Sequence, residues 1–139
     1  MKLILFTVEE ANRMASEIRP ELERLVQVKR DIDHLQRRID VLSLAASGAT
    51  AENPDALELR QLVHRRNPQA EELRRGVHAI QERGPIVKDL DQGLIDFYSI
   101  AGDRVIFLCW RLDEAEVGHW HPIEGGFAAR QPLHRSERE

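Results

Sequence analysis

The chain changes its hydrophobic period once, at Gly84-Pro85. Before that point apolar residues recur at helical spacing; after it they alternate or run in short blocks. Thr7-Val8-Glu9-Glu10 is a capping box, with the Thr7 hydroxyl placed to accept an orphan N–H and Glu10 to reach back, so a helix starts there. From Ala11 the heptad positions a and d read Ala11, Met14, Ile18, Glu21, Leu25, Val28, Ile32, Leu35, Ile39 and Leu42. All but Glu21 are apolar, which specifies a continuous seam. Glu21 follows Pro20, which lacks a ladder donor, and a kink or restart is expected there. This helix would be about 38 residues long, roughly 57 Å.

Residues 47–54, Ser-Gly-Ala-Thr-Ala-Glu-Asn-Pro, form a loop. A second seam follows: Ala56, Leu59, Val63, Arg66, Ala70, Leu73, Val77 and Ile80. Asn67-Pro68 interrupts it, with Asn67 placed to cap a further segment that starts at Pro68. Gly84-Pro85 ends it. Two seams joined by a short loop predict an antiparallel, coiled-coil-like helical hairpin. Near the start of the first helix, position e is also apolar (Val8, Ala15, Leu22); further out it holds Lys29, Gln36 and Ser43. The base of the hairpin is therefore expected to be covered by more than its partner helix.

From residue 86 the period is that of strands: Ile86 to Leu90, Leu94 to Tyr98, Val105 to Trp110 and Val117 to His121, with Phe127 to Arg130 as a short fifth. Val105 to Trp110 is β-branched and aromatic on both faces and should be central. The whole is an α+β chain: a long helical hairpin packed at its base on a small antiparallel β-meander. Residues 1–83 hold the arm, with Leu3 to Phe6 expected as an edge strand. Residues 84–139 hold the β-module and a short disordered tail. The 56 residues of the module make a thin core alone, which again favours docking on the hairpin.

Several strings resemble a prokaryotic domain-of-unknown-function family (family 2203). They are residues 87–97, Val-Lys-Asp-Leu-Asp-Gln-Gly-Leu-Ile-Asp-Phe, then Leu108-Cys109-Trp110-Arg111-Leu112, Trp120-His121, Gly125-Gly126-Phe127 and Arg130-Gln131-Pro132-Leu133. The opening Phe6-Thr7-Val8-Glu9-Glu10-Ala11-Asn12 is similar to the family's start. One departure is Asp113-Glu114, where the family tends to carry Gly-Glu. The resemblance implies no activity and lends no site residues.

Charge narrows the function classes. Residues 1–83 carry 14 basic and 14 acidic residues, whereas residues 84–139 carry 6 and 10, so the net charge of −4 lies in the module. That balance argues against nucleic-acid binding, which rests on neutralising phosphates. Arg37-Arg38, Arg65-Arg66 and Arg74-Arg75 read as solvated helix faces with i,i+4 partners. No apolar run approaches the ~20 residues of a membrane span, and Glu9-Glu10 comes too soon for a secretory signal. A lone cysteine excludes an internal disulfide. A soluble cytoplasmic protein is expected.

His119 and His121 lie two apart on a strand and so share a face, where two imidazoles can address one cation. The candidate further ligands are Glu114, Asp96, Glu116, Asp89, His134 and Cys109. Cys109 reads first as a buried small hydrophobe, and a Cys–His dyad as the alternative. Asp89 or Asp96 is also placed to orient a histidine, and Arg130 to pair with Asp96 or Glu114 or to bind an anion. His34, His64 and His78 are isolated on outward helical positions. No phosphate loop, G-x-S-x-G or H-E-x-x-H is present. Two functional expectations follow. One is a non-catalytic adaptor whose arm meets a protein partner or a second copy. The other is a protein that binds a divalent metal such as zinc, or a small metal-dependent hydrolase with Glu114 or Glu116 as base. No cofactor is established by the sequence.

Overall fold

The computed structural model describes residues 3–134. Helix α1 (Val8–Ala45) begins at the capping box: Thr7 N–H donates to Glu10 Oε1 at 2.9 Å, and Glu10 N–H donates to Thr7 Oγ1 at 3.1 Å. It runs unbroken through Pro20, so the expected restart does not occur. Pro20 and Ser16, one turn back, are both exposed, and the carbonyl that loses its donor is open to water. Helix α2 (Pro54–Glu82) starts where Asn53 Oδ1 accepts the Asp55 N–H at 2.8 Å, with Pro54 in the first turn. It too continues through an exposed proline, Pro68. Asn67 does not cap a new segment; its side-chain oxygen accepts from the Arg66 guanidinium.

The two helices pack as an antiparallel hairpin with two separate apolar clusters. Leu35, Ile39, Leu42 and Leu62 line the outer arm. At the base Ala11, Ala15, Ile18, Leu22, Leu25, Val26 and Ile80 join residues of the sheet in one core. The apolar e positions, Ala15 and Leu22, are what widen the stripe there. On α2 the seam departs from the expected series: Leu62, Gly76 and Ile80 are buried, while Ala70 is exposed. Gly76 has no side chain because Leu25 fills the space a Cβ would take. Ion pairs Arg24–Glu72, Arg38–Glu58 and Arg83–Glu17 tie the helices together across exposed faces.

Gly84, at φ 114°, turns the chain from helix into sheet against the Phe6 ring. Strands β1 (Ile86–Asp89), β2 (Leu94–Ala101), β3 (Arg104–Arg111), β4 (His119–Pro122) and β5 (Gln131–Pro132) pair in chain order, all antiparallel. Phe127–Ala129 is a turn of 3₁₀ helix, not the expected fifth strand, which forms two residues later. The edge strand expected at residues 3–6 is also not formed. Its one link to the sheet ladder is Phe6 N–H donating to the Tyr98 carbonyl at 2.8 Å, and the Ser99 hydroxyl donates back to the Phe6 carbonyl at 2.6 Å. Of the tail expected from Gln131 onward, Gln131–Pro132 forms β5 and Leu133 is buried, while residues 135–139 lie outside the described residues.

One face of the sheet (Ile95, Phe97, Ile106, Leu108, Trp110) closes the core against α1. Polar anchors fix that docking. Arg19 donates to the carbonyls of Leu112 (2.8 Å) and Glu114 (3.0 Å) and lies 5.0 Å over the Trp110 ring. Asn12 accepts the Val117 N–H at 2.7 Å.

Candidate functional site

Strand alternation sends Asp96 and Cys109 to the other face of the sheet, away from the helices, since their neighbours Ile95, Phe97, Leu108 and Trp110 all face the core. The register makes two rows there: Asp96, Cys109 and His119, then Tyr98, Phe107 and His121. Strands β2 and β4 are separated by β3, hence about 10 Å apart. Asp96 and His121 nevertheless meet, with Nε2 of His121 3.0 Å from Oδ2 of Asp96. Cys109 between them is small enough to permit it. The ligand atoms of Asp96, Cys109 and His121 all lie within 4.8 Å of one another. All three residues are buried, at 1%, 0% and 2% exposure respectively.

The hydrogen bonds of this cluster constrain its protons. Nδ1 of His121 lies 2.8 Å from the Pro122 carbonyl, which can only accept, so Nδ1 carries the proton. In the neutral ring Nε2 then presents a lone pair to Asp96. Two acceptors 3.0 Å apart need a proton or a cation between them. The other carboxylate oxygen, Asp96 Oδ1, is buried without a hydrogen-bond partner. Burial raises the Asp96 carboxyl above the usual range, outweighing the opposing pull of His121. Burial, then the Asp96 charge, pushes the Cys109 thiol up to about 12.

The remaining sequence candidates are placed elsewhere. Glu114 belongs to a second cluster at the β3–β4 connection. It accepts the Arg111 backbone N–H at 2.8 Å, and Nη2 of Arg130 reaches both its oxygens at 2.8 and 2.7 Å. His119 Nδ1 lies 3.4 Å from the same carboxylate. The two histidines thus share a face but serve different carboxylates, His121 that of Asp96 and His119 that of Glu114. Asp89 accepts the Asp91 N–H at 2.8 Å and shapes the β1–β2 turn. Glu116 and His134 are exposed, as are His34, His64 and His78 on the helices. Arg130, stacked 4.7 Å from the Phe127 ring, pairs with Glu114 and not with Asp96.

Chemically, the Asp96 cluster offers one oxygen, one sulfur and one nitrogen. Two donors on one tetrahedral zinc lie about 3.4–3.8 Å apart, so a cation would draw atoms now up to 4.8 Å apart in by as much as about 1.4 Å and part Nε2 of His121 from Oδ2 of Asp96, now 3.0 Å apart, by about 0.4 Å. A carboxylate and a thiolate would neutralise a divalent ion, leaving no net buried charge. The Nδ1–H bond from His121 to a backbone carbonyl is the support that metal-bound imidazoles usually have. What the sequence reading lacked was the Pro122 carbonyl as the proton-fixing partner, since no side-chain pattern signals it. It also lacked the anchors Arg19 and Asn12, which look like ordinary helix-surface residues.

No helix among the described residues is long and apolar enough to cross a membrane. Comparison with curated proteins and with solved structures returned no match. The profile of the family described as "Uncharacterized conserved protein (DUF2203)" matches residues 4–133, spanning both the arm and the sheet, and the chain therefore belongs to that family.

Proposed function

We propose that this protein binds a zinc-class divalent cation through Asp96, Cys109 and His121. The observation that carries the reading is the buried contact of His121 Nε2 with Asp96 beside Cys109, in which the ring proton is already committed to Pro122. A mixed oxygen, nitrogen and sulfur donor set favours zinc or cobalt over calcium or magnesium, which take oxygen ligands. The reading stops at binding and does not extend to hydrolysis. Both Glu114 oxygens are held by Arg130, which removes that carboxylate from the role of general base. The test is cobalt titration of protein purified without a histidine tag. A stoichiometric thiolate-to-cobalt charge-transfer band is expected. It should disappear in Cys109→Ser and His121→Ala and survive in His119→Ala. A band that depends on His119, or no band in the folded wild-type protein, would sink the proposal.

A second reading, the adaptor, rests on the arm's outer end. Val41, Leu44 and Leu57 are 58%, 82% and 44% exposed there. Apolar side chains in water at a hairpin tip suit capture by a protein partner or by a second copy. On this reading Leu44→Glu with Val41→Glu abolishes association in sedimentation velocity without lowering thermal stability. Unchanged association in the double variant would remove the tip as the contact.

A further inference from the structure

A cavity lies on the opposite side of the sheet from Asp96, where the start of α1 meets the β2–β3 hairpin. It measures about 740 Å³, within the roughly 300–1,000 Å³ range of small-molecule sites. Its walls are mainly apolar: Phe6, Val8, Ile106, Leu108, Trp120 and Leu133. The mouth is rimmed by Leu5 and Ile100, at 42% and 55% exposure. Phe6, Ile106, Leu108 and Leu133 form its buried floor, and among the described residues the apolar surface it offers a ligand is that of Leu5, Val8, Ile100 and Trp120.

The polar groups on the lining are few, and most are already engaged. Ser99 donates to the Phe6 carbonyl, and Thr7 and Glu10 complete the capping box. Glu10 is an acid on the wall, but its carboxylate accepts the Thr7 N–H at the positive end of α1, which offsets its charge. Arg104 is different: it lines the cavity, and no carboxylate pairs with it among the described residues. Arg111 and Arg130, the other described arginines of the β-module, both have acidic partners. A guanidinium with no carboxylate partner among the described residues, at the edge of an apolar cavity, is complementary to an anion with an apolar body.

The backbone narrows the class further. Strands β2 and β3, which wall the site, are internal to the sheet, so their ladders are already paired. A peptide would find no free ladder on those two strands to satisfy its own N–H and C=O groups. We infer that this cavity binds a small amphipathic carboxylate of the fatty-acid type, with its chain against Val8, Ile100 and Trp120 and its head group on Arg104. The site is independent of the metal reading, since none of its lining residues is a candidate metal ligand.

The test uses the full chain titrated with decanoate, decanol and decylammonium, followed by tryptophan fluorescence and by calorimetry. Trp120 is on the wall, whereas Trp110 is fully buried in the core, and Trp120→Phe identifies the reporting ring. Decanoate is expected to saturate one site below its micelle-forming range. Arg104→Gln, a change at an exposed position, should weaken decanoate at least tenfold and leave decanol unchanged. The inference is overturned if decylammonium binds as tightly as decanoate, or if Arg104→Gln has no effect on decanoate. It also fails if no ligand saturates, or if the Trp120 signal changes with protein concentration alone, which would make the cavity a contact between copies.

Discussion

Replacing Asp96 with asparagine separates a metal site from a structural ion pair, because the two readings predict opposite changes in stability. Asp96 is 1% exposed, and burial raises its carboxyl. A carboxyl whose pKa rises on folding contributes fully to stability only below its unfolded value, near 3.8, and loses that contribution as pH climbs through the folded value. At pH 7 an ionised Asp96 is therefore a cost. Asparagine keeps the shape and removes the charge, and its amide N–H can donate to His121 Nε2 across the existing 3.0 Å contact. The Pro122 carbonyl still takes the Nδ1 proton. In chelator, Asp96→Asn should match the wild type or exceed it by about 1 kcal/mol. With zinc at a hundred times its Kd, the wild type should gain about 2.7 kcal/mol and the variant almost none. Urea unfolding at pH 7, with and without zinc, measures both. A loss of about 3–5 kcal/mol in chelator, the signature of breaking a buried pair, together with no zinc effect on the wild type, would refute the reasoning.

Three further outcomes follow from other parts of the fold. The Cys109 thiol is pushed from 9.0 up to about 12, so its contribution is complete below pH 9 and is lost as pH rises towards 12. On the order of 4 kcal/mol is at stake; Cys109→Ala should flatten that alkaline decline in unfolding free energy, and parallel curves would contradict it. Arg19→Met removes two hydrogen bonds to carbonyls and the stack on Trp110. It should cost about 2–3 kcal/mol and alter the near-ultraviolet dichroism of Trp110, and a change below about 0.5 kcal/mol would deny it an anchoring role. Gly84→Ala puts a Cβ 2.8 Å from the Phe6 ring at a φ of 114°; a loss above about 2 kcal/mol is expected in urea unfolding.

The helical arm was legible because its signals are local. A capping box and a heptad repeat each act within a turn or two of chain. The apolar e positions even announced the cover at the hairpin base. Neither Pro20 nor Pro68 starts a new helix, since a proline disrupts a helix only as far as its neighbours cannot compensate. Both sit on wet faces of helices held by packing on the opposite side. The two-residue β5 and the 3₁₀ turn before it were hidden because so short a strand has no period to read.

The candidate site shows where local reading stops. Asp96, Cys109, His119 and His121 all stood out by residue type, and alternation put the two histidines on one face. Which histidine meets which acid is a matter of register, and register is set by turn lengths and by the packing of the buried face. Only the folded sheet sets Asp96 and His121 across a cysteine and leaves His119 to Glu114. The sequence alone determined the two helices, strands β1 to β4 and the period change at Gly84, because backbone propensity and apolar spacing act over a few residues. Tertiary structure decided the pairing of charges, the proton on His121 and the cavity beside the start of α1. Each of those depends on atoms from strands or helices that are distant along the chain.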